Sequence, residues 1–119
     1  METRKKILLI EDDLDWLKRW QSPLTRRYAM DIICARSIGE ALEVFPTKNW
    51  DLIVVDGCIG GDDFNSPPLI QKMRETYSGP MVAASRSREL MMEMKKAGCS
   101  HKANEKSFVP AIIEDILEL

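Results

Sequence analysis

Short apolar runs alternate along this chain with segments whose apolar residues recur at helical spacing. KILLI at 6–10 is a continuous apolar run of strand length. Leu17, Trp20, Leu24 and Tyr28 then fall on one face of a helix. Pro23 lies inside that pattern, where it removes a backbone hydrogen bond and crowds the preceding turn, so a kink or a division is predicted there. MDIICA at 30–35 predicts a second strand, and SIGEALEVF follows with Ser37 and Glu40 at capping-box spacing for a short helix. DLIVV at 51–55 is the third strand, and PPLIQKMRETY at 67–77 is a helix with proline in its first turn. PMVAA at 80–84 is the fourth strand. Ser87 caps the helix RELMMEMKKA, and Gly98 ends it. From about Ser107 to Leu119, the residues Val109, Ile112, Ile113, Ile116 and Leu117 form the apolar stripe of a last helix.

This alternation demands a fifth strand between Gly98 and Ser107, although CSHKANEK is largely polar. Five strand–helix units imply an α/β fold: a five-stranded parallel sheet covered by helices on both faces and joined by right-handed crossovers. Strands buried on both faces are continuously apolar rather than alternating, as these runs are. The economical arrangement is doubly wound, in the order 2-1-3-4-5, with its switch point between the first and third strands.

The totals narrow the class. A chain of 119 residues, 45% hydrophobic and 30% charged, reads as one globular domain spanning 1–119. Its net charge of −2 draws it toward neither nucleic acid nor an anionic membrane. No apolar run approaches the roughly 18 residues that span a bilayer. Cys34, Cys58 and Cys99 are odd in number and widely spaced, which favours a reducing, cytoplasmic setting without a disulfide framework.

The candidate chemistry sits where two strands end. In the 2-1-3-4-5 order, KILLI releases Glu11, Asp12 and Asp13 beside Asp56, which follows DLIVV. Carboxylates this close raise one another's pKa or call for a cation, and an all-oxygen site suits Mg²⁺. Acids holding Mg²⁺ can receive a phosphoryl group on one carboxylate, whereas bare acids would repel it.

ILLIEDD, DLIVVDG and PMVAAS together make the chain resemble the receiver domain of two-component response regulators, whose fold is flavodoxin-like with five helices. Asp56 lies 44 residues after Asp12, and Ser85 lies 29 after Asp56, in keeping with that family. The resemblance implies Asp56 as phosphoacceptor and Asp12 as a direct metal ligand. It also implies Glu11 as a ligand through water and Cys58 as a ligand through its backbone carbonyl. Ser85 would bond the phosphoryl oxygen and Lys106 would pair with the phosphoryl group. The implied activity is that of a switch rather than an enzyme: Mg²⁺-dependent transfer of a phosphoryl group from a histidine kinase or phosphotransfer protein, read by a downstream protein.

Several positions depart from the family pattern. Gly60 stands where a proline is usual, and the loop GCIGGDDFNSPP is longer than usual. The family's lysine falls at Glu105, one residue before Lys106, and the aromatic residue of the fifth strand is replaced by Lys102, Ala103 or Asn104. These departures support an alternative: a degenerate receiver that binds partners without phosphorylation. A nucleotide-binding or haloacid dehalogenase-like reading is weaker. EDDLD opposes an anion, and Cys58 stands where such a phosphatase would need aspartate.

Other residues read as structure. Asp13 is a helix cap rather than a ligand. Cys99 and His101 make no metal site, and Lys18, Arg19, Arg26 and Arg27 are a solvated helix face. The methionines at 91, 92 and 94 are core filler, and Trp16, off the main apolar stripe, is partly exposed near the acids.

Overall fold

A computed structural model describes residues 4–61 and 65–119. Five strands, β1 (Lys5–Ile10), β2 (Met30–Ala35), β3 (Leu52–Asp56), β4 (Met81–Ala84) and β5 (His101–Ala103), form one sheet in the order β2-β1-β3-β4-β5. All four pairings are parallel. Five helices alternate with them: α1 (Leu14–Arg27), α2 (Ile38–Val44), α3 (Ser66–Arg74), α4 (Arg88–Ala97) and α5 (Val109–Ile116).

Period-two geometry divides the central strands between two apolar layers. Leu8, Ile10, Ile53, Val55, Met81 and Ala83 pack beneath α3 and α4, against Ile70, Met73, Leu90 and Met94. Ile7, Leu9, Leu52, Val54, Val82 and Ala84 face the other way, onto Leu17, Trp20 and Leu24 of α1 and Val109 and Ile113 of α5. Both neighbours of every residue must therefore be apolar, which is why these strands read as unbroken runs.

The helix ends follow their capping residues. Asp13 caps α1 by accepting from the Asp15 N–H at 2.8 Å, and Ser87 caps α4 by accepting from the Leu90 N–H at 3.1 Å. Gly98 ends α4 at φ 141, a backbone geometry that side chains rarely tolerate. The box at α2 is half reciprocal: Ser37 accepts from the Glu40 N–H, but Glu40 accepts from the Arg36 N–H.

Four expectations need adjustment. Pro23 does not divide α1, which runs on to Arg27. Trp20 and Leu24 are fully buried on either side of it, and that anchorage outweighs one lost hydrogen bond. β3 lies one residue later than DLIVV. Asp51 stays outside and accepts from the Lys6 N–H at 2.8 Å, while Asp56 joins the strand opposite Ala84. α3 stops at Arg74 rather than Tyr77, because the Arg74 guanidinium donates to the carbonyls of Tyr77, Gly79 and Gly98 and holds the chain out of the helix. The last helix opens with a 3-10 turn at Lys106–Phe108 before α5 begins at Val109.

Candidate functional site

The site lies at the C-terminal ends of β1 and β3, where the strand order reverses. Glu11 follows β1 and its backbone N–H donates to Ala35, so the end of β2 fixes the point where β1 stops. The Glu11 carboxylate is buried and accepts from the Asp13 N–H at 3.1 Å. Asp12 is half-buried, and its carbonyl accepts from the Arg36 guanidinium at 3.2 Å. Asp56 ends β3 and is 5% exposed. Oxygens of Glu11, Asp12 and Asp56 lie within 4.8 Å of one another.

Lys106 enters from the 3-10 turn after β5. Its Nζ lies 2.8 Å from Glu11 Oε2 and 2.7 Å from Asp56 Oδ1, with its side chain 13% exposed. The Trp20 indole N–H donates to the Lys106 carbonyl at 2.8 Å, which fixes the turn against α1. The half-buried Trp16 ring lies 5.7 Å from the same ammonium. The site therefore takes two acids from the end of β1, one from β3, and its cation from beyond β5.

Burial raises the Glu11 carboxyl from its ordinary 4.5 to about 7; the Lys106 hydrogen bond opposes that shift and the Asp56 charge adds to it. Burial also raises Asp56, against the pull of Lys106. For Lys106 itself, burial favours the neutral form, but its bonds to Asp56 and Glu11 outweigh that and raise its pKa. Three ionised carboxylates and one ammonium would leave two negative charges in a space a few ångströms wide. Such a donor set, all carboxylate oxygen, fits a hard divalent cation such as Mg²⁺.

Ser85 follows β4 and is buried; its hydroxyl accepts from the Ser87 N–H at 3.1 Å. Since Asp56 pairs with Ala84, Ser85 stands one residue beyond the phosphoacceptor candidate on the adjacent strand. Gly57 lets these two strand ends close together. A Cβ there would meet Leu90 Cδ2 at 2.4 Å and Ser85 Oγ at 3.0 Å. Cys58 is half-buried with its side chain against the core layer under α3 and α4, which leaves only its backbone carbonyl as a candidate ligand. Residues 62–64 of the long loop lie outside the described residues.

Solved structures with this architecture are numerous. One two-component response regulator from Clostridium difficile superposes with a TM-score of 0.82 at 20% identity, over 97% of each chain. The fold is that of response regulator receiver domains. A phosphorylated cyanobacterial phytochrome response regulator matches this receiver fold with a TM-score of 0.82 at 18% identity, over 97% of this chain and 95% of that one. A Burkholderia pseudomallei response regulator, solved with a phosphorylated aspartic acid, calcium ion and citrate, matches at 0.76 and 21% identity, over 94% of this chain and 66% of its own. No protein-family model and no curated protein matches the chain.

Sequence reasoning missed two supports of the site. Arg36 reaches the Asp12 carbonyl only because β2 pairs with β1, and Trp20 combines a core ring with the bond that seats Lys106. The strand order makes Arg36 findable; nothing in the local sequence marks the partner of Trp20.

Proposed function

We propose that this domain is a phosphoacceptor switch of a two-component system, with Asp56 receiving a phosphoryl group from a histidine kinase or phosphotransfer protein. The observation that carries the reading is the Lys106 ammonium, held at once by Asp56 and Glu11 beside Asp12. The one-residue displacement of the lysine, which with the polar fifth strand spoke for a degenerate receiver, does not keep the Lys106 ammonium from Asp56, and that contact supports the phosphoacceptor reading.

In the proposed reaction a carboxylate oxygen of Asp56 attacks the donor phosphorus, the phosphorus–nitrogen bond to the donor histidine breaks, and an acyl phosphate forms. Glu11, Asp12, Asp56 and the Cys58 carbonyl would hold Mg²⁺, which when bound neutralises charge on the transferring group. Lys106 would exchange part of its bond to Asp56 for one to a phosphoryl oxygen. Ser85 would donate its O–H to another, while its oxygen can still accept from the Ser87 N–H. The domain is its own phosphoryl acceptor in this scheme, and the dephosphorylated histidine of the donor is the leaving group. Among the described residues no helix is long and apolar enough to cross a membrane, and a cytoplasmic setting is part of the proposal.

Intact mass after incubation with acetyl phosphate and Mg²⁺ tests this reading. Wild type gains one acid-stable, base-labile phosphoryl adduct and Asp56→Asn gains none. An adduct on Asp56→Asn, or none on wild type, overturns it.

A further inference from the structure

Two large apolar side chains stand off the stripes that build the core. Met92, expected as core filler, is instead 57% exposed and meets solvent. Trp16 is half-buried at the edge of the layer under α1 and α5, and it meets charge. Among the described residues three cations lie over its ring. The guanidinium carbons of Arg19 and Arg86 are 5.1 and 5.9 Å from the centroid, and the Lys106 ammonium is 5.7 Å away. A cation over an indole gains most where water is excluded. Arg19 and Arg86 are exposed, whereas the Lys106 side chain is 13% exposed. Of the three, Lys106 therefore takes the strongest hold from the ring.

Trp16 in turn leans on Trp20, one helical turn further along α1, with ring centroids 6.4 Å apart and planes tilted by 38°. Trp20 is fully buried, and its indole N–H holds the Lys106 carbonyl at 2.8 Å. Two tryptophans of one helix thus grip Lys106 at both ends, backbone and ammonium. A lysine stem is long and flexible, so fixing its backbone alone would leave the charge free to wander. The acids that pull on it, Glu11 and Asp56, are also the groups a divalent cation would claim. The ring is a hold on the ammonium for which such a cation does not compete.

We propose that Trp16 is a positioning residue for phosphoryl transfer, its ring keeping the Lys106 ammonium aimed at Asp56. The proposal rests on the phosphoacceptor reading and adds to it a residue of α1 that acts only through Lys106. The rival role is packing alone, for which apolar bulk without a ring would do as well.

Trp16→Phe keeps a ring, and Trp16→Leu keeps apolar bulk. With acetyl phosphate and Mg²⁺, the rate of Asp56 labelling should fall at least about fivefold in Trp16→Leu and no more than about twofold in Trp16→Phe. In a Lys106→Ala background the leucine substitution should change the rate by less than about twofold, because the ring has no ammonium left to position. Arg19→Ala, which removes an exposed cation from the same ring, should label like wild type. A second cycle reads the contact without metal or phosphodonor. In urea unfolding, the combined effect of Trp16→Leu and Lys106→Ala on the equilibrium constant should be at least about twofold smaller than the product of the single effects. Independent effects in either cycle, equal rates for the phenylalanine and leucine variants, or an equal loss in Arg19→Ala overturn the proposal. A wild type that takes no label while the unfolding cycle stays coupled overturns the phosphoacceptor reading, and the transfer role with it, but leaves the hold of Trp16 on Lys106 standing.

Discussion

β3 is buried along its whole length between two apolar layers, whereas β5 has three residues and buries only Ala103. Both nevertheless deliver a charged group to the same few ångströms, Asp56 from the end of β3 and Lys106 from just beyond β5. The central strand holds its carboxylate rigidly, because packing on both sides leaves the backbone no alternative. The edge strand has little packing of its own. Lys106 is held in part by the Trp20 bond to its carbonyl and by the acids it neutralises. Position is thus set by burial at the centre and by polar contacts at the edge.

Breaking the centre should have the largest effect. Leu9→Ala empties a fully buried position on β1 and should cost about 2–5 kcal/mol in urea unfolding, while Lys102→Ala on β5 should stay within about 0.5 kcal/mol. Comparable losses at both positions would erase the distinction.

Lys106→Ala attacks the edge through its charge. Two buried carboxylates lose their cation, so stability at pH 8 should fall by about 1–3 kcal/mol, and by less at pH 5, where the acids can take up protons. The wild-type protein sharpens the point. Glu11 keeps its proton up to about 7 when folded, against 4.5 ordinarily, so the folded state binds more protons than the unfolded chain across that window. Stability without metal should therefore decline as pH rises from about 4.5 to 7 and then level off. The raised Asp56 pKa acts in the same direction. Lys106 has the same sign in a higher pH window: its contribution is complete below the ordinary lysine value and is lost as pH rises through its raised one. Mg²⁺ competes with protons for these acids, so its stabilising effect should be larger at pH 8 than at pH 6. A melting temperature that climbs steadily from pH 5 to pH 7 without metal would contradict this assignment.

Asp13→Ala should have the smallest effect of the site-proximal changes, about 1 kcal/mol for the lost cap on α1. The shift in melting temperature caused by Mg²⁺ should persist in this variant and vanish in Asp12→Ala. Loss of the response in Asp13→Ala would make Asp13 a ligand rather than a cap.

Legibility in the sequence follows the same division. The central strands announce themselves because burial on both faces permits only apolar residues, and β2, β4, α4 and the strand order could all be read. β5 could be inferred only from alternation, since an edge strand can expose His101 and Lys102 and needs only backbone pairing. The acids were readable because each directly follows or ends an apolar run. Lys106 was readable only as a displaced match, because its reach depends on a 3-10 turn and on the Trp20 bond across 86 residues. Arg74, which joins the ends of α3 and α4, carries no local signal, because its carbonyl partners lie in two separate segments.

The most direct test of a site assembled from a rigid centre and an edge is the rate and position of phosphoryl transfer. With acetyl phosphate and Mg²⁺, fragment mass analysis should locate the adduct on the Asp56 peptide alone. Its rate of formation should fall at least about a hundredfold in Lys106→Ala and change by no more than about twofold in Glu105→Ala. Equal rates in the two variants, or an adduct on any other residue, would contradict the account.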